Sequence, residues 1–239
     1  MRSYTDLNLR PRKNTEEAKM MLGIAADIGY SKVAVSFSSE AGKEEIKKTR
    51  ALCSHVGLDM VTRVDLQPES SGALLKALGN LRGRFEIIAV HCTTKDVSRQ
   101  AAKDRRVDLL NFPHADPTKR RLYFDHQEAA LACKSLCALE IDACSILNND
   151  PVQKARALAT MQKETTLAIK LDVPIVVSSG ATDRYGLRTP RDLASLLTLV
   201  DVDSDSILQA VSEIPVRIVE RNRAKLQSSF VSPGVRIVG

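Results

Sequence analysis

The sequence predicts an α/β fold, a closed (β/α) barrel of about seven parallel strands. Three observations carry that expectation. Short apolar β runs alternate with helical stretches along most of the chain. The runs read as strands buried on both faces, as parallel strands covered by helices are. No linker separates the units, and no G-x-G-x-x-G or P-loop follows a strand, which argues against an open dinucleotide- or nucleotide-binding sheet.

The elements follow in order. Residues 4–9 alternate in the manner of a strand. Residues 15–28 place Ala18, Met21, Leu22 and Ala25 at helical spacing. A buried strand is expected over 32–37, a helix with one charged face over 43–55, and a third strand over 58–66. A helix at 72–81, a strand at 86–91, a helix at 96–103 and a strand at 107–112 continue the alternation. Then come a helix at 127–136 and a sixth strand at 138–141. Asp150 and Pro151 open a long helix that runs to 170, because Asp accepts from first-turn amides and Pro fits the first helical position. The seventh strand is 175–178, with helices at 190–199, 204–212 and about 215–226. One domain is expected over 1–226, with a loose tail over 227–239.

The bulk numbers narrow the function classes. The 239 residues are 44% hydrophobic, enough for a sizeable core, yet no segment is long and apolar enough to span a membrane. The opening residues lack the apolar region of a secretory leader, so a cytoplasmic setting is expected. Cys53, Cys92, Cys133, Cys137 and Cys144 are odd in number and lack paired zinc spacing, which fits reduced structural thiols. The net charge of +6 favours polyanionic partners. Trp is absent and aromatics are only 4%, so a nucleic acid would be held by its backbone and not by stacked bases.

The segment 174–197, PIVVSSGATDRYGLRTPRDLASLL, is the most specific local signal. A strand ends in Ser178, Ser179 and Gly180, read as an anion-binding turn. An arginine-bearing loop follows, and a helix opens at Thr189-Pro190-Arg191-Asp192 with a cap and a first-position proline. Arg188 and Arg191 flank that start, and the planar arginine fork suits phosphate oxygens. Among the other basic residues Arg99, in a helix just past a strand end, and Arg120, in a polar insertion, stand out. His126 opens a helix after that insertion.

In a (β/α) barrel the working face is the C-terminal edge of the strands. It should gather Asp6, Asn8, Arg10, Phe37, Ser38, Asp65, His91, residues 112–114, residues 142–145 and residues 178–180. Asp6, Asp65, Asp142, His91 and His114 are a set that could hold a divalent metal and hydrolyse phosphate esters. A metal-dependent phosphoesterase is therefore the alternative reading. Against it, no H-x-H or H-E-x-x-H is present, and no G-x-S-x-G supports a serine nucleophile.

The opening TDLNL, the strand Lys32-Val33-Ala34-Val35-Ser36, the stretch from Asp96 through Arg99 to Leu109, and SSGATDRYGLRTPRDLASL together resemble archaeal ribonuclease P protein component 3. That family is the counterpart of the eukaryotic thirty-kilodalton ribonuclease P and MRP subunit, and the likeness covers roughly residues 4–215. The resemblance implies a distorted TIM-like barrel related to the polymerase-and-histidinol-phosphatase hydrolases. Those begin Asp-Leu-His-x-His, where this chain reads Asp6-Leu7-Asn8-Leu9-Arg10. Both imidazoles are missing and a cation stands in one place, so no inherited catalytic centre is expected.

The resemblance further implies a non-catalytic subunit of a ribonucleoprotein that removes 5′ leaders from precursor tRNA. Catalysis would belong to the RNA and its Mg²⁺, with no cofactor on the chain itself. Expected partners are ribonuclease P RNA, precursor tRNA, the small RRM-like protein component 2 and the other protein subunits. The positions carried over as RNA-facing or functionally sensitive are Arg99, Arg120, His126, Lys134, Lys170, Arg188 and Arg191.

Overall fold

The computed structural model describes residues 2–12, 15–113, 122–147, 150–227, 230–232 and 235–236. Seven strands form one parallel sheet in sequence order: β1 (Tyr4–Leu9), β2 (Tyr30–Phe37), β3 (Asp59–Leu66), β4 (Ile87–His91), β5 (Leu109–Asn111), β6 (Ala138–Asp142) and β7 (Ile175–Ser178). Helices α1 (Thr15–Asp27), α2 (Lys43–His55), α3 (Ser71–Leu81), α4 (Lys95–Lys103) and α5 (His126–Ser135) follow the first five strands. After β6 come α6 (Ala143–Leu147) and α7 (Pro151–Lys170), and after β7 come α8 (Pro190–Ser195), α9 (Ser204–Gln209) and α10 (Glu213–Leu226). The TIM-like barrel read from the alternation is the observed fold.

Side-chain caps set the helix starts. Ser70, Thr94, Asp125, Asp150 and Thr189 each accept from first-turn amides, and Asp125 with Glu128 completes a capping box.

The sheet closes irregularly. Between β7 and β1 there is one parallel bridge, Leu9 to Ala181, with Arg10 N donating to Ala181 O at 2.8 Å. Lower in the seam the α9–α10 connection fills the gap. Thr5 N donates to Val211 O at 2.9 Å and Val177 N donates to Ala210 O at 3.1 Å. These bonds satisfy strand-edge amides that a regular eighth strand would otherwise meet.

The barrel interior has two zones. Leu7, Ala34, Val61, Ile87, Ala89, Leu109, Ala138 and Val176 form an apolar inner cluster, closed by Ile218 and Val219 with Ile214 of α10 against it. The larger apolar cluster lies between the sheet and the outer helices. Thus α10 completes the barrel as a plug. Its polar side is fixed too: buried Asn222 Nδ2 donates to Asp108 Oδ1 at 2.7 Å and to Glu86 O at 2.8 Å.

Some local details depart from the sequence reading. The helix expected over 190–199 gives way to a 3-10 segment, Leu196–Val200, that ends at left-handed Asp201. The short helix α6 and a 3-10 turn at Arg184–Gly186 have no periodic signal of their own. In the tail, β8 (Phe230–Ser232) and β9 (Val235–Arg236) pair antiparallel.

Candidate functional site

Strand alternation decides what fills the upper barrel. Val61, Ile87, Leu109, Ala138 and Val176 face the interior, so residues two and four further along face it as well. Those residues are Arg63 and Asp65 on β3, His91 on β4, Asn111 on β5, Glu140 and Asp142 on β6, and Ser178 on β7. An apolar floor therefore carries a polar layer at the C-terminal edge of the strands.

Arg63 is the centre of that layer and is fully buried. Its Nη1 donates to Glu140 Oε1 at 2.5 Å and to Leu7 O at 2.7 Å, and its Nη2 donates to Glu140 Oε2 at 2.8 Å and Asp65 Oδ1 at 2.6 Å. Ser178 Oγ donates to Glu140 Oε1 at 2.7 Å. Arg10 donates through Nε to Asn8 Oδ1 at 3.0 Å, and its Nη2 lies 3.5 Å from Asp142 and 3.9 Å from Asp65. His91 Nε2 lies 3.5 Å from Asp65.

These contacts split the carboxylates into two kinds. Burial alone would raise Asp65, but the Arg63 guanidinium and the His91 hydrogen bond hold it well below the usual carboxylate range. Burial likewise opposes ionisation of Glu140, and Arg63 overrides it. Asp6 and Asp142 go the other way. Burial lifts Asp6 despite hydrogen bonds from Ser179 and Asn8, and lifts Asp142 despite Arg10. The second oxygen of Asp6, Oδ2, is buried without a partner.

Asp6, Asp65, Asp142 and His91 do converge at the barrel mouth, with His114 outside the described residues. The donor set nevertheless does not fit a divalent cation. Two guanidinium groups stand among the carboxylates, and Glu140 and Asp65 are already consumed by Arg63. No group of three or more His, Cys, Asp or Glu suited to a metal occurs among the described residues.

The turn read as anion-binding, Ser178 to Gly180, meets the protein's own carboxylates. Ser178 and Ser179 are fully buried. Ser178 gives its hydroxyl to Glu140, and Ser179 N donates to Asp6 Oδ1 at 3.1 Å. Gly180 has φ +63°, and a Cβ there would lie 2.0 Å from Asp142 Oδ1. Only glycine lets the backbone pass that carboxylate.

The basic residues singled out in the sequence that the structure describes lie outside the barrel, at both of its ends. Each βα helix starts at the upper edge and runs down, so His126, Arg188 and Arg191 belong to the upper end and Lys134 and Lys170 to the lower. Arg99 is exposed along α4, 3.9 Å from buried Glu128. Arg188 is exposed and pinned, with Nη1 donating to Tyr185 O at 2.8 Å and Leu187 O at 2.7 Å. Arg191, His126, Lys134 and Lys170 are exposed, with no side-chain partner among the described residues. Arg120 lies outside the described residues. The described positions, split between the two ends of the barrel, share no single pocket.

The sequence reading missed Arg63, Glu140 and Asn111 as interior groups. A signal existed: a charge two residues from an inward apolar residue on a buried strand. Nor does sequence alone separate Arg221 and Arg223 from surface cations. Arg221 instead binds Asp108 at 3.0 Å, and Arg223 binds Asp59 at 2.7 Å and Glu86 at 2.5 Å.

The RNase P subunit p30 family matches residues 3–227. The chain belongs to that family. Within its relatives, ribonuclease P protein component 3 of Methanococcoides burtonii is 27% identical over 240 residues, covering 99% of this chain and 94% of that protein. Component 3 of Methanocaldococcus jannaschii is 27% identical over 207 residues, 86% of this chain and 87% of that one. A chain in a cryo-EM structure of archaeal ribonuclease P with mature tRNA has the same fold, with a TM-score of 0.85, 22% identity and 98% coverage of both chains.

Proposed function

We propose that this chain is a non-catalytic protein cofactor of ribonuclease P, the ribonucleoprotein that cleaves the 5′ leader from precursor tRNA. Family membership makes it a protein subunit of that particle. Its partners are then ribonuclease P RNA, precursor tRNA and the other protein subunits, with the small RRM-like component 2 as direct protein neighbour. Arg63, locked between Glu140 and Asp65 where a barrel enzyme would keep its reacting groups, carries the non-catalytic reading. Mg²⁺ and the cleavage step belong to the RNA. Exposed His126, Arg188 and Arg191 at the upper end, with Arg99 along α4 and Lys134 and Lys170 at the lower end, lower phosphate repulsion as RNA strands approach. The buried free thiols Cys53, Cys92 and Cys137 fit a reducing cytoplasm.

The test is subunit omission. Ribonuclease P RNA, the remaining proteins and precursor tRNA are mixed with and without the chain, and leader removal is followed at low Mg²⁺. Dependence on the chain, with no cleavage by the chain alone, supports the reading. Cleavage by the purified chain, or indifference to its omission, overturns it.

A further inference from the structure

A cleft of about 400 Å³ opens on the outer side of β3, lined by Lys43, Arg50, Thr62, Arg84, Glu86 and Arg223 among others. None of its four cations was singled out as RNA-facing above. We propose that this cleft is a phosphate site that grips one backbone phosphodiester of the RNA. The owner of the phosphate rests on the ribonuclease P reading; the anion chemistry does not.

The charge balance favours an incoming anion. Glu86 is the cleft's single acid, and its two oxygens are already taken. Oε1 accepts from Arg223 Nε at 2.5 Å, while Oε2 accepts from Thr62 N at 2.7 Å and Thr62 Oγ1 at 3.1 Å. Arg223 is further forked onto Asp59. Arg50 reaches Glu86 only at 3.9 Å. Arg84 and Lys43 thus add charge that no acid among the described residues offsets.

The cleft is also organised before any ligand arrives. Arg84 Nη1 donates to Ser39 O and Nη2 to Ala41 O, both at 2.9 Å, and its guanidinium lies 5.4 Å from the Phe85 ring centre. Held by neutral carbonyls, it keeps its full charge and has further N–H donors to offer. A planar, pinned guanidinium that shares a cleft with a lysine ammonium is a pairing suited to phosphate oxygens. Glu45 of α2 lines a different groove, with Lys48 and Ala18, and does not enter the cleft.

Two measurements on the full-length chain decide the matter. The first follows the Arg84 Nε–Hε and Lys43 resonances by NMR while inorganic phosphate is added, with chloride at matched ionic strength as control. The second measures ribonuclease P RNA affinity against salt, with the other protein subunits present, for Lys43→Gln, Arg84→Gln and a Lys76→Gln control on α3. Phosphate-specific shifts, with a several-fold affinity loss and a salt slope smaller by about one for each cleft variant but not the control, are expected. Lys43 makes no hydrogen bond or ion pair among the described residues, so its variant tests the cleft even if Arg84→Gln loosens the Ser39–Ala41 loop. Silence in the phosphate titration overturns the site. Phosphate shifts with unchanged RNA binding overturn the RNA assignment and point to a small phosphorylated ligand. Failure of the wild-type particle to bind RNA counts against the subunit reading itself, and the cleft's RNA assignment falls with it.

Discussion

Arg63 and Glu140 face each other across the barrel as a two-pronged pair, at 2.5 and 2.8 Å, and neither side chain has any solvent exposure. Breaking such a pair on one side leaves a buried charge alone, which costs about 3–5 kcal/mol. Arg63→Leu should therefore lower the unfolding free energy by that order in denaturant titration. Adding Glu140→Leu should recover much of the loss, because both charges are then gone. A single variant as stable as wild type would show that the pair is not buried as described.

The pH dependence has two limbs of opposite sign. Asp59 is held down to about 2, first by its hydrogen bonds from Arg223 and against the opposing effect of burial. Its contribution is present above the unfolded value of about 3.9 and is lost as pH falls towards 2. Asp6 is raised, so the folded state favours its protonated form. Its contribution is present below the unfolded value and is lost as pH rises through the folded one. Asp6→Asn keeps an oxygen for Asn8 N and Ser179 N but cannot ionise. The difference in stability between Asp6→Asn and wild type should grow in favour of the variant as pH rises from acid to neutral. A difference that does not change with pH would mean Asp6 is not displaced.

Gly180→Ala should be costly. The residue would need φ +63°, and its Cβ would sit 2.0 Å from Asp142 Oδ1. A loss of about 1–3 kcal/mol is expected from the backbone alone, read as a lower thermal midpoint. Asp142→Gly in the same chain should relieve part of it by clearing the contact.

Loss of Asn222 should loosen the plug. Asn222→Leu leaves Glu86 O and Asp108 short of a buried donor, at about 1–3 kcal/mol. Hydrogen exchange should then quicken first in α10, which closes the barrel floor. Uniform exchange would argue that α10 is not a separate closing element.

Much of this architecture was readable from periodicity and caps. Apolar runs such as those of β3 and β4, and cap residues such as Asp150 and Thr189, act over a few residues, so local sequence contains them. The seam did not read out. Its closure by Ala210 and Val211 depends on backbone groups from α9–α10 meeting β1 and β7, and backbone amides carry no sequence mark. The polar layer read out only in part. Asp65 and Asp142 were visible as acids at strand ends, whereas the inward direction of Arg63 follows only once β3 is placed with Val61 inward. The fate of each basic residue was least visible, since Arg221 and Arg191 differ only in what lies across from them.

The proposed function gives the barrel mouth no chemistry and gives the RNA contacts to the exterior cations. It is tested most directly by leader removal in the reconstituted particle with two versions of the chain. One carries Asp6→Asn with Asp142→Asn, and the other carries Arg188→Ala with Arg191→Ala. Near wild-type cleavage is expected for the mouth variant and a loss of about tenfold or more for the exterior one, the scale of a lost charged hydrogen bond. A folded mouth variant that assembles but fails to support cleavage, beside an exterior variant at full activity, would contradict it.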